Sequence, residues 1–185
     1  SSYRDIDILN NTLDTRYDGI QLYMNDGCAH MLVLNNHITF ATNPPPGQFT
    51  KGYTAINVKE ANTANPSSVI QGNSIWYRTG ASTANAGISL NSANDYLVAN
   101  NDLHMYSNAY NYAGIILSGS RRPVVSCNNV LGSFNNYGSN DGQSAIRNNQ
   151  GGQAQIFCND VDGTVNGLYF SGAASGTDLS GNHIR

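Results

Sequence analysis

One pattern recurs seven times along this chain: an apolar residue, two further residues, an asparagine, one residue, and a second apolar residue. It occupies Ile8 to Leu13, Val33 to Ile38, Ile70 to Ile75, Val98 to Leu103, Val125 to Val130, Ile156 to Val161 and Leu179 to Ile184. The asparagines are Asn11, Asn36, Asn73, Asn101, Asn128, Asn159 and Asn182, separated by 25, 37, 28, 27, 31 and 23 residues. Between successive copies lies a second pattern, Gly or Ala followed by alternating apolar positions. It reads Gly19-Ile20-Gln21-Leu22, Ala55 to Val58, Gly87 to Leu90, Gly114 to Leu117, Ala145 to Asn148 and Gly167 to Phe170. Alternation at period two marks a strand with one buried face. The fifth copy departs from it, with Asn148 where an apolar residue is expected.

Each period therefore holds at least two short strands, and such strands cannot bury an apolar face alone. Stacking equivalent coils on one another solves the problem. Ile20, Ile56, Ile88, Ile115, Ile146 and Leu168 then form one inward column, and Ile8, Val33, Ile70, Val98, Val125, Ile156 and Leu179 form another. Fully burying each such side chain contributes roughly 1.5–3 kcal/mol. Asparagine suits a coil corner because it tolerates the left-handed backbone region. Its amide can also bond to the equivalent amide about 4.8 Å away, giving a ladder down the axis. The seven asparagines are accordingly structural.

Composition agrees. The chain has 27 Asn and 19 Gly but only Lys51, Lys59 and Glu60 as its lysines and glutamate. Asn and Gly favour turns, whereas helices draw on Lys, Glu, Leu and Ala. A net charge of −3 with 11% charged residues provides no basic footprint for nucleic acid. The pair Arg121-Arg122 reads as a solvated turn. No apolar run approaches the roughly 20 residues that span a bilayer, and Ser1 does not open a signal peptide, so export would rest on sequence outside this stretch. Three cysteines cannot all pair internally. Cys127 and Cys158 share the slot before a ladder asparagine, filled elsewhere by Gly or Asn, and read as packed thiols, with a disulfide between them as the alternative.

These repeats and their spacing resemble the right-handed parallel β-helix superfamily, the pectate-lyase-like proteins that include pectate lyases, polygalacturonases, phage tailspikes and many secreted bacterial repeat proteins. The stretch from Cys158-Asn159-Asp160-Val161 through Gly167-Leu168-Tyr169-Phe170 to Ser180-Gly181-Asn182-His183-Ile184 looks most like surface-exported bacterial repeat proteins. The resemblance implies an all-β, right-handed parallel β-helix, a solenoid of about seven coils with an asparagine ladder, over residues 1–185 as a single segment. Both ends fall inside repeats without a polar or helical cap, so further coils or domains of the same chain are expected to flank it.

Insertions concentrate on one flank. From the second pattern to the next asparagine pattern the apolar-to-apolar distance is 13, 14, 10, 10, 10 and 11 residues; the return distance is 7, 18, 13, 12, 16 and 7. In solenoids the variable flank is often the binding one. It collects Phe40, Phe49, Tyr53, Trp76, Tyr77, Tyr106, Tyr110, Tyr112, Phe134 and Tyr137. Flat rings edged by amides and hydroxyls suit sugars, so Tyr53, Trp76, Tyr77, Tyr106, Tyr110, Tyr112 and Tyr137 are the candidate ligand contacts. The competing reading is that several of these rings pack the loops back onto the coils.

Catalysis has less support. Glycoside hydrolysis needs two carboxyl groups about 5–9.5 Å apart, and Asp14 with Asp18 is the best local pair, with Asp141 and Asp162 on the same flank. The paired Asp, Gly-His-Gly and Arg-Ile-Lys motifs of polygalacturonase-like members do not occur. Neither does the clustered Asp and Glu of a pectate-lyase-like calcium site, nor the Tyr-Gly-x-Asp-Pro-His signature of alginate epimerases. His30, His37, His104 and His183 are scattered over different coils and suggest neither a metal site nor a relay. No cofactor or metal is implied.

The expectation is an extracellular or cell-surface β-helical segment, adhesive and structural, contacting a polysaccharide or cell-surface glycan through the aromatic flank. Alternatives are a polysaccharide-degrading lyase or glycoside hydrolase, including a phage tailspike depolymerase assembled as a trimer, and a spacer without ligand. An ice-binding solenoid ranks below these, since no Thr-x-Thr column recurs at a fixed coil position.

Overall fold

A computed structural model describes residues 5–15, 18–24, 30–40, 53–60, 68–77, 84–105, 113–132, 144–162, 166–172 and 176–185. Their regular structure is strand, in three parallel sheets. Sheet A takes Asp5–Leu9, His30–Leu34, Val69–Gln71, Leu97–Ala99, Val124–Ser126, Gln155–Phe157 and Asp178–Ser180. Sheet B follows directly after each ladder asparagine, with Thr12–Thr15, His37–Phe40, Ser74–Tyr77, Asp102–Met105, Asn129–Gly132, Asp160–Asp162 and His183–Ile184. Sheet C takes Ile20–Met24, Tyr53–Glu60, Ala84–Asn91, Ala113–Ser118, Ser144–Asn149 and Asn166–Ser171. Every strand pairs in parallel with its equivalent one repeat away. The chain is a parallel β-helix of stacked three-strand coils.

The register puts the repeat positions directly over one another. Ile8 pairs with Val33, Val33 with Ile70, and so on to Ile156 with Leu179 in sheet A. Ile56, Ile88, Ile115 and Ile146 stack likewise in sheet C and are essentially inaccessible to solvent. Sheet B adds a third inward column, Leu13, Ile38, Ile75, Leu103, Val130, Val161 and Ile184. The sequence pattern implied at least two strands per period. There are three, because the last apolar residue of the asparagine pattern belongs to a strand of its own.

The asparagine ladder runs along the corner between sheets A and B. Asn73 Oδ1 accepts both the backbone N–H and the side-chain N–H of Asn36, at 2.9 and 3.0 Å. The same pair of bonds links each asparagine to the next, from Asn11 to Asn182. The second side-chain N–H donates to a main-chain carbonyl of the preceding coil, as from Asn101 to Ile70 at 3.0 Å. Each interior amide thus has its acceptor and both donors satisfied, which is what burial of a primary amide demands.

The left-handed residue at this corner is the one before the ladder asparagine, and this corrects the sequence expectation. Asn10, Asn35, Gly72, Asn100, Cys127, Cys158 and Gly181 have φ between 52° and 65°, whereas no ladder asparagine has positive φ. The ladder position needs a primary amide; the position before it needs tolerance of the left-handed region, hence Asn and Gly there. Two further left-handed columns lie between sheets C and A, Ser92, Gly119, Gln150 and Gly172, then Asp95, Arg122, Gln153 and Gly176.

Asn148, the exception in the second pattern, sits in the inward column of sheet C between Leu117 and Phe170 and is fully buried. Its amide bonds to the main chain of Gly151, accepting from N–H at 3.1 Å and donating to the carbonyl at 3.4 Å. Arg122, one of the two turn arginines, forms a two-pronged pair with Asp95 of the preceding coil, at 2.6 and 2.7 Å.

Candidate functional site

The variable stretches all connect sheet B to sheet C, so the strands of sheet B carry the side chains nearest to them along the chain. The alternation that sends Ile38, Ile75, Leu103 and Val130 inward sends two columns outward. One is Thr12, His37, Ser74, Asp102, Asn129, Asp160 and His183; the other is Asp14, Thr39, Trp76, His104, Leu131 and Asp162. At the middle of this face the indole of Trp76 and the imidazole of His104 lie stacked, centroids 3.8 Å apart and planes within 8°.

Polar contacts fix both rings. Trp76 Nε1 donates to Ser74 Oγ at 2.7 Å. His104 Nε2 is 2.8 Å from an oxygen of Asp102, and since an ionised carboxylate only accepts, this nitrogen carries the proton. The other oxygen of Asp102 accepts from Asn129 Nδ2 at 2.8 Å. His37 Nε2 and Thr39 Oγ1 lie 3.2 Å apart on the neighbouring coil. Trp76 keeps 41% of its surface open to solvent. The result is a flat face with an exposed indole, backed by an imidazole and bordered by a carboxylate, an amide and hydroxyls.

Of the aromatic candidates, Trp76 is on this face. Tyr53 and Tyr77 are not: both are buried in the core, so for them the packing reading holds and the ligand-contact expectation is corrected. Tyr77 stacks inside the coils on Phe40, centroids 4.1 Å apart, and donates its hydroxyl proton to the Ala86 carbonyl at 2.9 Å. Burial, reinforced by the nearby charge of Asp18, pushes this phenol well above its ordinary range. Tyr77 turns inward because the fourth residue of the sheet B strand, also Phe40 and Met105, faces the core, whereas Tyr53 is buried as the first residue of the sheet C strand Tyr53–Glu60. Tyr106, Tyr110, Tyr112 and Tyr137, together with Phe49, Phe134 and Asp141, lie outside the described residues.

The candidate catalytic pair divides. Asp14 is exposed on the outer face, in register with Thr39. Asp18 sits where the chain enters sheet C, and its carboxylate accepts the N–H of Thr54 from the next coil at 2.8 Å. One carboxylate is free for solvent and the other ties two coils together.

No family model, curated protein or solved structure matches this chain.

The site is accordingly built from its own geometry. Sequence reading missed His104, Asp102 and Asn129 as partners of Trp76. A signal was present: Trp76 and His104 are each three residues beyond a ladder asparagine, Asn73 and Asn101, which fixes them as neighbours. The same register places His37 and His183 in the column of Asp102, whereas His30 lies in sheet A opposite Asp5. Among the described residues no three His, Cys, Asp or Glu side chains group closely enough to hold a metal ion, and no helix is long and apolar enough to cross a membrane.

The cysteine expectation also changes. Cys127 and Cys158 are exposed free thiols, not packed ones, because the left-handed corner turns their side chains outward. Cys28 lies outside the described residues.

Proposed function

We propose that this chain is a segment of an extracellular or cell-surface β-helical protein, adhesive and structural, that contacts carbohydrate through the outer face of sheet B. The reading includes membership of the pectate-lyase-like superfamily, supported by the stacked aliphatic columns and the continuous amide ladder. The observation that carries it is the half-open indole of Trp76, held by Ser74 and His104 and bordered by Asp102 and Asn129. An aromatic face covers the apolar side of a sugar, and fixed donors and acceptors around it bond the hydroxyls without further ordering cost.

The degradative alternative draws less support from the same region, since the carboxylate of Asp18 is engaged by Thr54 while Asp14 lies exposed on the outer face. Trp76 is the only tryptophan of the chain, so its fluorescence reports on this site directly. Titration with polysaccharides selected on a glycan array is expected to change that emission, and Trp76→Ala is expected to abolish binding while leaving the far-ultraviolet dichroism unchanged. Glycan binding that survives Trp76→Ala, or no binding across the array, overturns the proposal. Release of reducing or unsaturated ends that stops in Asp14→Asn would replace it with the enzyme reading.

A further inference from the structure

Cys127 and Cys158 occupy the same corner of consecutive coils, each one residue before a ladder asparagine. The strands on either side pair in register, Ser126 with Phe157 and Asn129 with Asp160. The two Cα atoms are therefore separated by about one strand spacing, roughly 4.8 Å. Their φ angles, 52° and 57°, are nearly equal, so the Cα–Cβ bonds leave the corner in parallel. Both side chains are exposed and neither is oxidised. The next residue down the column is Gly181, where an added Cβ would meet nothing nearer than the Cys158 amide at 3.9 Å. The thiols are thus open on that side.

We propose that Cys127 and Cys158 form a two-thiolate site for one soft cation of the Cu(I) class, bridged between adjacent coils. Thiolates select soft ions over the hard cations that prefer oxygen. With the zinc–thiolate length of about 2.3 Å as a guide, a linear sulfur–metal–sulfur unit is roughly 4.6 Å long, comparable to the roughly 4.8 Å at which the corner repeats. A disulfide fits less well. The Cα separation is within its range, but it requires the Cβ atoms at about 3.8 Å, so the two parallel Cα–Cβ bonds would have to tilt toward each other at corners held by their own hydrogen bonds. Cys127 N–H donates to the Phe157 carbonyl at 3.2 Å and Cys158 N–H to the Ser180 carbonyl at 3.1 Å. On binding, each thiol releases its proton to solvent and the cation accepts an electron pair from each sulfur; no electron changes owner.

The column itself supplies fold-preserving variants, because Asn10, Asn35 and Asn100 fill the same left-handed slot. Cys28→Ser in the full chain removes the third thiol. In that background, anaerobic competition for Cu(I) against bicinchoninate is expected to show one copper per chain. Cys127→Asn and Cys158→Asn, each alone, are expected to weaken binding by about 100-fold, since either leaves a single thiolate. Three results would overturn the site: no uptake in the Cys28→Ser protein, unchanged affinity in either asparagine variant, or copper that links two chains into a dimer during sedimentation. Unchanged far-ultraviolet dichroism confirms that a lost affinity is not a lost fold.

Discussion

Asn101 receives two hydrogen bonds from Asn73 through a single oxygen, the backbone N–H at 3.0 Å and the side-chain N–H at 2.9 Å. Its own N–H groups repeat the arrangement toward Asn128. A rung is therefore an acceptor for one coil and a donor for the next, and removing it strands groups on both sides.

Asn101→Ala leaves the Asn73 backbone N–H without its acceptor and the Asn73 side chain with the Val33 and Gln71 carbonyls alone, and it deprives the Asn128 amide and the Ile70 carbonyl of one donor each. Each buried unsatisfied group costs about 1–3 kcal/mol, so a loss of about 3 kcal/mol or more is expected in urea denaturation. Asn11→Ala, at an exposed rung, should cost less than about 1 kcal/mol, the net worth of ordinary hydrogen bonds. Equal costs at the two rungs would refute the cooperative ladder.

The column Gly19, Ala55, Gly87, Gly114, Ala145 and Gly167 is confined to glycine and alanine for a steric reason. A Cβ at Gly114 would run into the Val130 side chain and stand 2.7 Å from the Ala145 carbonyl oxygen. Gly114→Val is expected to destabilise by about 3 kcal/mol or more, because neither a core side chain nor a ladder carbonyl can retreat. Gly119→Ala is the contrast. Its Cβ would meet only Ser92 Oγ, at 3.6 Å, so the cost is confined to the φ of +63°, about 1–2 kcal/mol. Thermal melts of the pair distinguish crowding from backbone strain.

Tyr77 makes a prediction in alkali. Its phenol is raised well above the ordinary range of a tyrosine, first by burial and then by Asp18. Below pH about 10 both folded and unfolded chains hold this proton, and the contribution is constant. Above it the unfolded chain loses the proton first, so stability falls by up to about 1.4 kcal/mol per pH unit until the folded value is reached. Tyr77→Phe should be less stable at pH 7, where the bond to Ala86 is lost, yet decline less steeply from pH 9 to 11. Parallel decline in the two proteins would show that Tyr77 ionises freely when folded.

What could be read from sequence follows from how narrowly each position restricts residue type. The ladder accepts little but asparagine, and the inward columns accept little but Ile, Val and Leu, so both stood out by repetition. The second and third left-handed columns did not, because Ser92, Gly119, Gln150 and Gly172, or Asp95, Arg122, Gln153 and Gly176, share a backbone angle and no side-chain chemistry. The same blindness assigned the left-handed role to Asn36 when it belongs to Asn35, and made Cys127 look packed. For the candidate site, residue type alone grouped Tyr77 with Trp76. One residue's difference along a strand separates them, Tyr77 to the core and Trp76 to the solvent face, while His104 reaches Trp76 only through the register that the ladder sets.

Asn148 tests whether a local exception serves the fold. Its neighbours in the column are Val58, Leu90, Leu117 and Phe170, so Asn148→Leu would restore the apolar pattern and raise the buried hydrocarbon area. Against that, the Gly151 N–H would lose its acceptor at 3.1 Å, and the chain there is held close, since a Cβ on Gly151 would stand 2.7 Å from the Ser120 carbonyl oxygen. Burying the added side-chain carbon is worth about 0.8 kcal/mol per methylene, whereas an unmet buried amide and the crowding of a larger side chain each cost about 1–3 kcal/mol. The second pair outweighs the first. Asn148→Leu is therefore expected to be less stable than the parent by about 1–3 kcal/mol in urea denaturation. A stabilised variant would mean that the turn from Asn149 to Gly151 closes without the Asn148 amide, and that the polar residue in this column has no structural role.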